Sequence, residues 1–182
     1  MKRTDLSTMS CPIARGLNRV GEWWSILILR DAMHGFTRFD EFQKSLKIAP
    51  NILTRRLADL VEAGLLERVQ YNDRPPRFEY VLTEVGRDFR PVMLSFVEWG
   101  NRNFAPEGRS VQLVERASGR PVRAGLVDLD SGKTITSEEY DLAPGPAANA
   151  DMRNRFSNAP DKSVDDVGDA KRKRPANKRR RA

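Results

Sequence analysis

The stretch IAPNILTRRLADLVEAGLLERV, residues 48–69, restricts the fold more than any other part of the chain. Leu53, Leu57, Leu60 and Val61 fall at i, i+4, i+7 and i+8, one face of a 3.6-residue period. Pro50 suits the first helical position and Gly64 the C-terminal stop. The opposite face opens with Asn51, Thr54, Arg55 and Arg56, at the helix end where the dipole favours acids. The period then changes. Residues 65–71 and 77–82 read as strands around the turn cluster Asn72-Asp73-Arg74-Pro75-Pro76. A short amphipathic helix feeding directly into a hairpin implies an α+β fold.

The preceding residues supply more helices. Pro12, Ile13, Leu17 and Val20 mark a first helix ending at Gly21. A second, from 22 to about 33, is apolar nearly all round and should be the central core helix, ended by His34 and Gly35. Thr37 with Asp40 three residues on resembles a capping box for a third helix buried through Phe39, Phe42 and Leu46. Two short helices across a tight connection, the second polar at its exposed start, outline a helix-turn-helix. The hairpin, its tip carrying Arg74 and Arg77, would be a wing. Thr83 caps a longer helix to about 103, with Pro91 inside it expected to kink it.

Three segments follow from these signals. Residues 1–106 are expected to form a winged helix-turn-helix domain, to which the motifs and the resemblance described further on assign DNA binding and dimerisation. Residues 107–142 form a small strand-rich extension, too small for independent stability. Residues 143–182, rich in Pro, Ala, Asn and Asp and ending in KRKRPANKRRRA, form a disordered tail with a basic end.

The net charge of +7 is unevenly placed. Residues 1–109 carry 17 basic and 14 acidic side chains, and residues 110–170 carry 7 and 11. The last twelve residues carry 8 basic and no acidic side chains. The body is therefore nearly neutral, and a high pI says little about it. The tail's cations suit non-specific contact with phosphates, and its KRKRP run also fits a nuclear-localisation pattern. No apolar run reaches the roughly 20 residues of a membrane span, and no signal-peptide core follows the N-terminus. A cytoplasmic, nucleoid-associated protein is expected. Cys11 is the one cysteine and His34 the one histidine, which makes a zinc site and an internal disulfide poor readings. No phosphate loop, nucleophile elbow or paired carboxylates stand out, so neither an enzyme nor a cofactor is expected.

A helix in the major groove needs amides and guanidinium groups near its N-terminus, where they reach base edges. At about 100° per residue, Asn51, Thr54 and Arg55 gather opposite the leucine stripe, and these are the candidate base contacts. Arg56 lies at the flank and suits either a phosphate or a structural ion pair. Thr37, Arg38, Arg56, Arg74 and Arg77 are the candidate phosphate and wing contacts. The competing reading is a winged helix used for protein contacts without DNA readout.

The motifs C-P at 11–12, W-S-I-L-I-L-R-D at 24–31, R-F-D-E-F at 38–42, N-I-L-T-R-R-L at 51–57 and R-P-P-R-F-E-Y-V-L-T-E-V-G-R at 74–87 resemble the HxlR-type winged-helix regulators, relatives of the MarR regulators. The resemblance covers about residues 11–104. It implies a bacterial, homodimeric regulator, a repressor by expectation, whose partner is a double-stranded DNA operator and whose terminal helices form the dimer interface. The chain departs from many members at Ala49, where they place a capping Ser, and in everything after residue 106. Some relatives use a cysteine such as Cys11 to sense electrophiles or oxidants. Cys11 lies directly before Pro12 at a helix N-terminus with Arg15 nearby, a setting that favours the thiolate. It is accordingly a candidate redox sensor, or a small half-buried residue at the dimer interface. A small electrophile or another effector is the further partner implied, and Trp23, Trp24 and Trp99 are read as core or dimer contacts.

Overall fold

The computed structural model describes residues 5–158. They fall into two compact units, divided between Leu126 and Val127.

In the first unit, α1 (Pro12–Val20), α2 (Trp23–Met33), α3 (Phe39–Leu46) and α4 (Pro50–Glu62) precede the hairpin of β1 (Leu66–Asp73) and β2 (Pro76–Leu82). Ile28 and Leu29 of α2, Phe42 of α3, Leu53, Leu57 and Leu60 of α4 and Leu66 of β1 are fully buried or nearly so and form one core cluster. The central role expected of α2 holds along most of its length. Trp23 at its start is the exception, 74% exposed, while Trp24 packs partly against the core. β1 and β2 pair antiparallel from Leu66↔Leu82 to Asp73↔Pro76, with an irregularity between Gln70 and Asn72. Both strands run closer to the tip than the turn cluster suggested.

Two helix boundaries differ from the sequence reading. α3 begins at Phe39 with Arg38 at its N-cap, and Glu41 caps it instead of Asp40. The helix expected from 83 to 103 is two helices, α5 (Glu84–Asp88) and α6 (Arg90–Asn103). Pro91 sits in the first turn of α6, where its missing N–H breaks no bond, so it starts a helix and does not bend one. Thr83 caps α5 by accepting from Gly86 N at 3.0 Å. Gly86 is buried against the end of the α4–β1 connection: a Cβ placed there would lie 2.1 Å from the Leu65 carbonyl oxygen.

β3 (Leu113–Val114) and β4 (Pro121–Val122) form a second two-stranded sheet. In the second unit a single bridge joins Val127 to Thr134, and α7 spans Ala150–Ser157. That helix lies inside the stretch read as disordered from residue 143. Asn149 caps it by accepting from Met152 N at 3.0 Å, a local signal that composition averaged away. The basic end, residues 171–182, lies outside the described residues.

Candidate nucleic-acid interface

The core holds α4 by one face. Pro50 opens the helix, and Ala49 at the N-cap provides no side-chain hydrogen bond. At the other end Leu65 N donates to Leu60 O and Gly64 N to Val61 O, both at 3.0 Å, with Gly64 at φ 73°. This is a Schellman closure, fastened by two buried leucines. The turn before α4 places Lys47 in the left-handed region at φ 51° and buries Ile48.

Asn51, Thr54 and Arg55 are all exposed on the opposite face. The Thr54 hydroxyl donates to Pro50 O at 2.9 Å, so towards a base edge it offers its methyl group and an acceptor lone pair. Arg55 makes no salt bridge among the described residues and extends from the helix unrestrained.

Arg56 is different from its neighbour on the outer face. It is 6% exposed, and its guanidinium pairs with Glu22 before α2 and with Asp59 at 2.9 Å one turn further on. Of the two roles open to it, the structural ion pair is the one formed. The cation is shared between two carboxylates and enclosed by protein, which gives Arg56 a structural role in joining α4 to the start of α2.

The wing is joined to the start of α3. Tyr80 N donates to Thr37 O at 2.7 Å, and the backbones of Arg38 and Glu79 pair in an isolated antiparallel β-bridge. The Thr37 hydroxyl donates to Glu79 Oε2 at 3.4 Å. Glu41 Oε2 accepts from both Arg38 N and Thr37 N at 2.9 Å. These N–H donors, Arg38 first and Thr37 second, hold the Glu41 carboxyl below its ordinary value of 4.5. Arg38 is exposed and its guanidinium lies 4.7 Å from the Tyr71 ring centroid, which joins the α3 entry to β1. Arg74 and Arg77 are exposed at the wing tip. Two exposed cations were missed: Lys47 in the helix-turn-helix connection, and Arg68, stacked 3.5 Å from the Phe78 centroid on the wing. Lys47 stood between the apolar Leu46 and Ile48 and could have been read as the turn cation; Arg68 carried no such signal.

Cys11 is the N-cap of α1, at φ −70° and ψ 119°, and is half-buried. His34 ends α2 as expected, its N–H donating to Arg30 O at 3.1 Å. Among the described residues no group of three or more His, Cys, Asp or Glu is arranged to hold a metal ion. No described helix is long and apolar enough to cross a membrane.

A helical core that presents amide, hydroxyl and guanidinium groups on the outer face of α4, followed by a hairpin with arginines at its tip, defines a winged helix-turn-helix DNA-binding protein. The profile of the HxlR-like helix-turn-helix family matches residues 19–108, and the chain belongs to that family. An uncharacterised HTH-type transcriptional regulator of Mycobacterium tuberculosis, Rv3095, is 37% identical over 141 residues, spanning 77% of this chain and 89% of its own length. Among solved structures, that of PA1374 of Pseudomonas aeruginosa, described as a candidate transcription factor, is 61% identical with a TM-score of 0.60, covering 80% of this chain and 99% of that one. A second, PA1607, is 43% identical with a TM-score of 0.69, over 77% and 99%. The protein is a DNA-binding transcriptional regulator, a member of a non-enzymatic class.

Proposed function

We propose that the protein is a bacterial, sequence-specific repressor that binds a pseudo-palindromic operator as a homodimer, at the nucleoid in the cytoplasm. The observation that carries this reading is the exposed face of α4, where Asn51, Thr54 and Arg55 have no competing tertiary role. These three read bases; Thr37, Arg38, Arg74 and Arg77 meet phosphates. Repression needs nothing beyond this, because a bound dimer excludes other proteins from the promoter it covers. Homodimerisation is supported by two exposed apolar faces: Ile13 and Leu17 of α1 are 67% and 51% exposed, and Phe96 and Trp99 of α6, which meet edge-to-face, are 48% and 53% exposed. Monomers rarely leave several large apolar residues of one helix face open to water.

Cys11 adds a regulatory element to this reading. A thiol at a helix N-cap, close to the proposed α1 face, can couple oxidation or alkylation by a small electrophile to dimer geometry. A disulfide would have to join two chains or use a small thiol, since the sequence holds one cysteine.

Footprinting across a genome, followed by mobility shifts on the recovered site, tests the main reading: a two-fold-related site and reporter repression are expected. A protein-interaction module would yield no preferred site. Diamide treatment of unsubstituted and Cys11→Ser protein on that site tests the sensor; equal DNA release from both would exclude Cys11.

A further inference from the structure

The segment beyond the family match contains one short hairpin twice. Leu113-Val114-Glu115 and Ser118-Gly119-Arg120-Pro121-Val122 recur 13 residues later as Leu126-Val127-Asp128 and Ser131-Gly132-Lys133-Thr134-Ile135. The hydrogen bonds recur with the residues. In the first copy Glu115 N donates to Arg120 O at 2.9 Å and Gly119 N to Glu115 O at 2.8 Å. In the second, Asp128 N donates to Lys133 O at 2.9 Å and Gly132 N to Asp128 O at 2.8 Å. Each serine hydroxyl donates to the acid three residues before it, at 2.6 Å in the first copy and 2.5 Å in the second. Each serine oxygen also accepts from the backbone N–H two residues on, at 3.2 and 3.3 Å. Gly119 and Gly132 take the same left-handed conformation, φ 69° and 71°.

The copies differ in charge. The first carries Arg116, Arg120 and Arg123 against Glu115. The second carries Asp128 and Asp130 against Lys133, and Glu138, Glu139 and Asp141 follow it. Neither copy has the means to be stable alone. The first is a sheet of two strands with no third strand among the described residues, tied to α6 where Asn101 Nδ2 donates to Val111 O at 2.9 Å, and the second is closed by one bridge. Apolar side chains stand open on both: Val114 is 44% exposed, Leu126 60% and Leu129 94%.

We propose that the duplicated hairpins form a dimerisation arm, in which the basic hairpin of one protomer lies against the acidic hairpin of a second copy of this chain, and reciprocally. The proposal rests on the homodimer reading above and adds to the α1 and α6 faces a contact outside the matched family segment. Like folds of opposite charge suit a two-fold interface, where one protomer's first hairpin meets its partner's second and the same contact forms again by symmetry. Opposite charges across the contact stabilise it and set its register, while the exposed valines and leucines become buried.

Charge exchange tests it on the full chain by sedimentation equilibrium. One variant carries Arg116→Glu and Arg123→Glu, the other Asp130→Lys and Glu139→Lys; all four side chains are exposed and none makes the turn hydrogen bonds. Each variant alone is expected to dimerise at least tenfold more weakly than the unsubstituted chain. A one-to-one mixture should recover full affinity as a heterodimer, because both reciprocal contacts then join opposite charges. Circular dichroism checks folding, and the single pair Arg116→Glu and Asp130→Lys reads the same exchange if a double variant misfolds. Variants that dimerise normally overturn the arm and leave the α1 and α6 dimer standing. Weakened variants that a mixture does not rescue also overturn it, since the hairpins would then pair within one chain. An unsubstituted chain that stays monomeric overturns the arm and the dimer together.

Discussion

Arg56 of α4 and Glu22, the N-cap of α2, are joined by an ion pair that fixes the proposed recognition helix to the start of the central one. Asp59 completes the pair from the same helix at 2.9 Å. The Arg56 Nε–H has no partner of its own, so the guanidinium is held by its terminal nitrogens alone.

Removing this cation should cost fold stability. Breaking a fully buried pair costs about 3–5 kcal/mol. Here Glu22 is half exposed and Asp59 partly so, and Arg56→Ala is expected to lose about 1–3 kcal/mol in urea denaturation. Operator affinity of the remaining folded protein should change little. A large affinity loss at unchanged stability would return Arg56 to the phosphate contacts.

Asn51→Ala and Arg55→Ala should behave oppositely. Each is expected to lose about 1–3 kcal/mol of affinity for the operator, with little loss on scrambled DNA, because a base contact carries sequence information. Mobility shifts on both duplexes measure the difference. Equal losses on the two would demote these residues to backbone contacts.

The wing should contribute without selectivity. Arg74→Ala or Arg77→Ala is expected to weaken binding to all duplexes alike and to reduce the slope of log affinity against log salt by about 1 each. Deleting residues 171–182 should flatten the slope further. Salt titrations by fluorescence anisotropy provide the measurement, and an operator-selective loss from the deletion would contradict it.

Gly86→Ala should be one of the most damaging small substitutions in the chain. Its Cβ would meet backbone, the Leu65 carbonyl, so α5 would have to move away from the start of β1. Overpacking typically costs about 1–3 kcal/mol, and this contact belongs at the upper end. Thermal unfolding of the alanine variant would show an unchanged midpoint if α5 is free to shift.

Acid should loosen the α3 entry through Glu41. Its folded carboxyl titrates below 4.5, the ordinary value, so its contribution is fully present above 4.5 and is lost as pH falls through the lower folded value. Glu41→Gln should therefore destabilise the protein at neutral pH and lessen the stability lost between neutral and acidic pH. Chemical denaturation of both proteins at pH 7 and in acid decides this; parallel pH profiles would remove Glu41 from the account.

Several elements were legible because their signals are local. The leucine spacing of α4, the Pro50 start and the Gly64 stop are each fixed within a few residues of chain, and the structure forms them as read. The hairpin followed from its period of two. Pro91 was also legible as a perturbation, but whether a proline kinks a helix or begins one depends on Phe89, whose backbone serves both as the end of α5 and as the cap of α6. α3 began later than expected because Glu41 reaches two N–H donors, whereas Asp40 only occupies the first turn.

By itself the sequence determined the order of the first four helices, the wing, the buried leucine face and the outward Asn51, Thr54 and Arg55, since periodicity and turn chemistry are properties of neighbouring residues. Tertiary structure decided which of two adjacent arginines is available. Arg55 and Arg56 are chemically the same and one position apart, but the 100° turn between them sends Arg56 to Glu22, 34 residues away in sequence, and leaves Arg55 in solvent. A partner so remote is set only by how α2 and α4 pack, and no local pattern encodes it.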